Sequence, residues 1–193
     1  MHDPTSRGLK RPWSPSVRLR KAHVGDVPAL ARVYVDTWRA AYEHILPPAY
    51  LARLSYKGQA TGWQRTLCTP GTATWIAETQ RRQLVGFASG GATRGETSTY
   101  FSEINTLYLL PSFQRQGIGR RLVAAFSEQV MSIGLRSMLI WVLRDNPCRG
   151  FYSALGGEEV GERPVNVGGE KFIEVAYGWR DVRRILDSVK SER

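Results

Sequence analysis

The sequence predicts an α/β fold, and three observations predict it. Residues 107–110 form an apolar, strand-like run that breaks at Pro111 into a glycine-bearing turn, after which Ile118, Leu122, Phe126 and Val130 recur with helical spacing. Val27, Leu30, Tyr34, Trp38 and Ala41 recur at three- and four-residue intervals, the signature of one apolar helix face. Residues 72–79 and 83–89 read as an antiparallel pair about the polar turn Gln80-Arg81-Arg82.

The remaining elements follow in order. Residues 17–22 alternate as a first strand, and Asp26 stands where an N-cap is expected before the helix that runs to Tyr42. Residues 44–48 end that helix, and residues 49–54 and 57–67 read as two shorter helical pieces. The glycine- and threonine-rich residues 90–98 read as a loop leading into a strand over 100–110. In the helix after the glycine turn, Ile133 is placed with the core face and Gly134 at the C′ position. Residues 138–143 are a continuous apolar strand, and Asn146 opens a short helix through Ala154, closed by Gly156-Gly157. Two strands, near Glu159 and over 171–179, flank a Gly168-Gly169 hairpin turn, and a basic helix or tail over 181–193 completes the chain. No internal repeat is visible.

Composition bounds the function. With 193 residues, 42% of them hydrophobic, the chain can bury one substantial core, and one domain over residues 17–180 is expected. No run approaches the roughly 20 apolar residues of a membrane span, and no secretory signal opens the sequence, so a cytoplasmic protein without a membrane partner is expected. Cys68 and Cys148 are expected to be reduced, and neither they nor His2, His23 and His44 have metal-ligand spacing, so no metal is assigned. The formal charge of +10 raises nucleic acid as a partner. Its distribution argues against that reading: Arg7, Lys10, Arg11, Arg18, Arg20 and Lys21 face only Asp3 among the first 21 residues, and Pro4, Pro12 and Pro15 break any regular pattern over 1–16. That segment reads as a basic, flexible tail, and no nucleic-acid partner is expected.

The chemistry sits in the turn Gln114-Arg115-Gln116-Gly117-Ile118-Gly119-Arg120-Arg121. The first N–H groups of a helix lack intrahelical partners and lie at the positive end of its dipole, so an anion satisfies both. Gly117 and Gly119 let an oxygen approach the backbone, and Arg115, Arg120 and Arg121 add charge around the opening. A phosphate-bearing ligand is therefore expected. A nucleoside-triphosphate P-loop is excluded because no Gly-Lys-Ser/Thr ending is present, and a dinucleotide fingerprint fails because Leu122 stands where a third small residue is needed.

What remains, a Gln/Arg-x-x-Gly-x-Gly/Ala turn after a strand ending Leu-Tyr-Leu-Leu-Pro, resembles the coenzyme A signature of the GNAT superfamily of N-acetyltransferases. A second segment, Asn146-Pro147-Cys148-Arg149-Gly150-Phe151-Tyr152-Ser153-Ala154-Leu155-Gly156, resembles that superfamily's segment in which an Asn is followed by a small residue and then by Phe-Tyr-x-x-Leu-Gly-Phe. It departs at Arg149, where a small residue is usual, and at Gly157, where an aromatic is usual. The resemblance covers residues 17–179. It implies a single central mixed, mostly antiparallel sheet flanked by helices and splayed at an acyl-CoA cleft.

It also implies roles. Acetyl-CoA is the expected cosubstrate, its pantetheine paired with the backbone of Leu107, Tyr108 and Leu109 and contacted by Asn146 and Phe151. Its pyrophosphate would meet Gln114, Arg115, Gln116, Gly117, Ile118, Gly119 and Arg120. Glu103, at the start of the strand, is the candidate general base, acting through a water; the alternative is a structural carboxylate paired with an arginine. Some members place a glutamate on the next strand, where this chain has Trp141. Tyr152 is the candidate acid for the departing thiolate, with packing as its alternative role. Trp38, Tyr42 and Trp63 fall in the region that forms one wall of the acceptor cleft. The acceptor is an amine left open between a small molecule, a protein N-terminus and a lysine. A noncatalytic acyl-CoA-binding or sensor module is the alternative function, and exposed terminal strands make a homodimer an expectation.

Overall fold

The computed structural model describes residues 16–93 and 99–190. Most of the expected basic tail, residues 94–98 of the expected loop and the last three residues of the chain lie outside the described residues. The strands are β1 (Val17–Lys21), β2 (Ala73–Thr79), β3 (Leu84–Ala92), β4 (Ser102–Leu109), β5 (Met138–Leu143), β6 (Glu158–Val167) and β7 (Glu170–Trp179). The helices are α1 (Val27–Ala41), α2 (Pro48–Arg53), α3 (Tyr56–Cys68), α4 (Ile118–Ser132), α5 (Arg149–Ala154) and α6 (Arg183–Lys190). One seven-stranded sheet runs β1-β2-β3-β4-β5-β7-β6. Every neighbouring pair is antiparallel except β4 and β5, which are parallel.

Helices cover both faces. On one, Leu30, Ala31 and Val33 of α1 and Trp63 of α3 pack on Ile76 and Phe87 of the sheet. On the other, Val123, Phe126 and Val130 of α4 join Tyr152 of α5, Leu155, Val182, Ile185 of α6, and Ile140, Val142, Val175 and Tyr177 of the strands. Leu30, Phe126 and Ile185 are wholly buried, and each such side chain contributes about 1.5–3 kcal/mol through removal from water.

The parallel seam is short. Only Ser102, Glu103 and Ile104 of β4 pair with Met138, Leu139 and Ile140 of β5, and beyond them the two strands diverge. A bulge accompanies the divergence: the β3–β4 register shifts between Ser89 and Gly90, so that Asn105 is the extra residue of β4. The β6–β7 hairpin reaches back across the opening, where Val165, Val167 and Phe172 pack against Tyr42, Leu46 and Leu51. A Cβ on Gly168, at φ 66°, would lie 2.8 Å from Cβ of Tyr50. Strand β6 is the exposed edge on that side.

Several local expectations are corrected. Asp26 makes no side-chain cap for α1. Its carboxylate instead accepts from the His23 N–H at 2.9 Å, closing a capping box around the short 3-10 turn Val24–Asp26, and binds the Arg20 guanidinium at 2.7 and 2.8 Å. Arg20 also reaches Glu78, which Arg18 contacts too, so a partly buried ionic cluster ties β1 to β2 and the start of α1. Residues 90–92, expected as loop, continue β3, because a Cβ on Gly90 would lie 2.1 Å from the Glu103 carbonyl oxygen and 2.8 Å from Phe126. Glycine there permits close approach within the sheet and does not mark a turn. Ile133 is exposed, since α4 ends at Ser132 and Gly134 takes the left-handed φ of 85°. The short helix α5 starts at Arg149; Asn146 precedes it in a turn in which its Oδ1 accepts from the Cys148 N–H at 2.8 Å.

Candidate active site

The fork between β4 and β5 exposes backbone. The Leu110 N–H donates to the Val85 carbonyl on the β3 side, so by antiparallel alternation the peptide groups of Leu107 and Leu109 face the fork. The Gln114 amide donates to the Leu109 carbonyl there at 3.0 Å, which makes Gln114 a brace for the turn. Leu107 packs into the core, whereas the Tyr108 ring stands on the opposite face against Tyr34 and Phe87, at centroid distances of 5.3 and 5.7 Å. Burial pushes the Tyr108 phenol well above its ordinary value.

At the turn the backbone takes left-handed conformations at Arg115 (φ 59°) and Gly117 (φ 75°). Gly117 is the N-cap of α4 and supplies no side-chain cap, so the first-turn N–H groups of Ile118 and Gly119 are left for an external acceptor. Gln116 bonds the Ser112 carbonyl at 3.1 Å. The Ile118 side chain is buried and can offer a ligand only its N–H. Arg121 does not join the opening: its guanidinium donates to the Val17 carbonyl at 2.9 Å and straps α4 to β1. A Cβ on Gly119 would touch the Phe151 ring at 3.3 Å, so α4 and α5 meet closely beside the fork.

On the α5 side, Tyr152 is buried, its ring 5.3 Å from Phe151 and 5.5 Å from Tyr177. Burial pushes its phenol up, with the neighbouring Tyr42, Cys148 and Tyr177 adding to the effect. Asn146 donates to the Tyr42 hydroxyl at 3.2 Å, linking the start of α5 to the end of α1. Both departures from the superfamily pattern have structural reasons. A Cβ on Gly157 would lie 2.6 Å from the Trp179 ring, and Trp179, whose indole donates to the Leu155 carbonyl at 2.9 Å, supplies an aromatic from β7. Arg149 ties α5 down by bonds to the Arg144 carbonyl at 2.9 Å, Tyr177 at 3.2 Å and Glu159 at 2.6 Å.

Glu103 is 1% exposed, set between Gly91 of β3 and Leu139 of β5 at the closed end of the fork. Because Ile104 faces α4, Glu103 faces the α1 side, the face to which Tyr108 also belongs. Trp38 and Tyr42 lie on that side, with Trp38 6.3 Å from Tyr108, whereas Trp63 is a core residue packed on Phe87 at 4.8 Å. Sequence reasoning missed Arg163 and Glu174, which this face also carries; their cross-strand pairing in the terminal hairpin was the available signal. Among the described residues no helix is long and apolar enough to cross a membrane, and no three His, Cys, Asp or Glu side chains group as a metal site would require.

A forked mixed sheet with an uncapped glycine turn at its mouth defines a class, and comparison with known proteins agrees. The model of the FR47-like protein family matches residues 85–164. An uncharacterized N-acetyltransferase of Bacillus subtilis, YuaI, is 37% identical over 167 residues, covering 86% of this chain and 94% of its own length. Among solved structures, PaiA N-acetyltransferase from Thermoplasma acidophilum in complex with coenzyme A has a TM-score of 0.61 at 19% identity, covering 85% of this chain and 99% of that one. A GNAT superfamily phosphinothricin acetyltransferase from Sinorhizobium meliloti in complex with acetyl-CoA has a TM-score of 0.64 at 21% identity, covering 84% and 87%. The chain belongs to the GNAT superfamily of N-acetyltransferases.

Proposed function

We propose that the protein transfers the acetyl group of acetyl-CoA to a primary amine by direct attack in a ternary complex. The observation that carries this reading is the fork: β4 and β5 part after three residue pairs, leaving Leu107 and Leu109 backbone groups beside an uncapped α4 N-terminus and a buried tyrosine on α5. The pantetheine would pair with the β4 edge as an added strand, and the diphosphate would take the N–H groups of Ile118 and Gly119 with Arg115 and Arg120 around it.

An alkylamine of pKa roughly 10.4 is mostly protonated at neutral pH and must lose a proton before attack. In this reading Glu103 takes that proton through a water. The neutral nitrogen then attacks the thioester carbon, and the developing oxyanion is held by a β4 backbone N–H at the fork. The attack forms the C–N bond, the nitrogen of the tetrahedral intermediate gives up its second proton to solvent, and collapse restores the carbonyl and breaks the C–S bond. The leaving thiolate, of intrinsic pKa roughly 8.5, takes the Tyr152 proton, which solvent replaces. Isothermal titration with acetyl-CoA tests the cofactor half. The intact protein should bind, and Gly119→Glu, which sets a negative charge against the diphosphate, should weaken binding at least about tenfold. Absence of binding by the intact protein would overturn the reading.

A further inference from the structure

The acceptor side of the fork carries a cationic device that the chemistry above does not use. On β5 and β7, Ile140, Val142, Val175 and Tyr177 point into the α4–α6 layer, so Trp141 and Glu174 point to the opposite face, the one shared by Glu103 and Tyr108. Trp141 is the first β5 residue beyond the last β4 pair, which puts its indole at the mouth of the fork. Arg163, cross-paired with Glu174, lays its guanidinium over that indole, 4.0 Å from carbon to ring centroid.

The Arg163 guanidinium is also pinned. Its Nε and Nη2 donate at 2.9 and 2.8 Å to the same oxygen of Glu174, so ring and carboxylate fix its plane while Nη1 stays outside both contacts. The Arg163 side chain is 41% exposed and the Glu174 side chain 19%, so the guanidinium is the more accessible charge of the pair. A planar, preoriented guanidinium with a free edge is matched to a carboxylate or phosphonate, which accepts two parallel N–H bonds. A second observation lies on the same face: Thr106 Oγ1, two residues before Tyr108, is buried with no hydrogen-bond partner among the described residues. A polar group arriving in the fork would satisfy it.

We propose that the acceptor is an amine that also carries an oxyanion, which Arg163, held over Trp141 by Glu174, binds while the amine lies at the fork. This deepens the acetyl-transfer reading and rests on it. Arg163 is a specificity residue here and takes no part in bond making.

The test measures acetyl-CoA-dependent release of coenzyme A by the full-length protein with β-alanine, glutamate and aminoethylphosphonate, and with ethanolamine and putrescine as amines lacking an anion. The carboxylate and phosphonate arms separate the two oxyanion sources. The anionic amines should be preferred, and Arg163→Met, which keeps an apolar side chain over Trp141, should raise their KM at least about tenfold relative to ethanolamine. Arg163→Lys, which keeps charge without the planar fork, should fall between the two. The acetyl-CoA Kd, measured by calorimetry, should stay within about twofold in both variants and so reports that they are folded. Preference for ethanolamine or putrescine, no turnover of any anionic amine by protein that binds acetyl-CoA, or an Arg163→Met loss that is equal for all amines would overturn the proposal. Failure of the intact protein to bind acetyl-CoA would instead overturn the acetyl-transfer reading on which it rests.

Discussion

At the residue scale, Tyr152 combines position and protonation. Its burial raises the phenol above the ordinary value of 10.0, so the group keeps its proton through and beyond neutral pH, as a donor to a leaving thiolate must. Tyr152→Phe should lower kcat about ten- to hundredfold and leave the acetyl-CoA Kd unchanged, and the alkaline limb of the wild-type kcat profile should not report this phenol below about pH 10. Glu103→Gln should cost most at low pH, where the amine is protonated, and progressively less toward the amine pKa of roughly 10.4; a loss independent of pH would assign Glu103 a structural role. The ionic cluster makes a separate prediction about stability. The Arg20 bond lowers the Asp26 pKa below 3.8 despite burial, and at Glu78 burial works upward but the Arg20 and Arg18 bonds outweigh it and hold the pKa below 4.5. Depressed carboxylates contribute fully above their ordinary values and lose that contribution as the pH falls through the lowered ones. The melting temperature should therefore hold down to about pH 5 and fall below about pH 4, with a weaker acid dependence in Glu78→Gln.

At the scale of elements, two glycines hold the site together by closeness. Gly90→Ala would drive a methyl group into the Glu103 carbonyl and Phe126, and thermal melts should show a loss of about 3 kcal/mol or more as the β3–β4 bulge is forced apart. Gly168→Ala, strained at φ 66° and pressed on Tyr50, should lift the β6–β7 hairpin from α2, raising the acceptor KM while leaving acetyl-CoA affinity intact. The order and type of the elements were legible because their apolar periods are long: α1, α4 and β5 each bury one continuous stripe, and Gly134 marks the end of α4 as a left-handed residue should. The errors arose where one residue type serves two purposes. Glycine at 90 reads as a turn until the neighbouring strand and helix are in place, and Asp26 reads as a forward cap until Arg20 draws it back. Arg121 likewise reads as an anion ligand in the sequence, although its guanidinium reaches a β1 carbonyl more than 100 positions away.

At the scale of the molecule, two half-sheets, β1–β4 and β5–β7, meet along a seam of three residue pairs. Amides of Leu107 and Leu109 should exchange faster with solvent than those of Ile104 and Ile140, and acetyl-CoA should slow them selectively, a pattern that hydrogen exchange with peptide-level resolution would read. The strand, glycine turn and helix end at the fork were legible because they are local and adjacent in sequence. The cluster of Trp141, Arg163 and Glu174 was not, since these residues converge only through the order β5-β7-β6. That same order leaves β6 with one flank bare, and its composition answers a hazard separate from catalysis. An unpaired strand is a template for accretion of further chains, yet β6 carries Glu158, Glu159, Glu162 and Arg163 and interrupts its outer row of donors at Pro164. Replacing Pro164 and the glutamates with β-branched residues should therefore make the protein precipitate on concentration, with light scattering rising before any loss of helical signal.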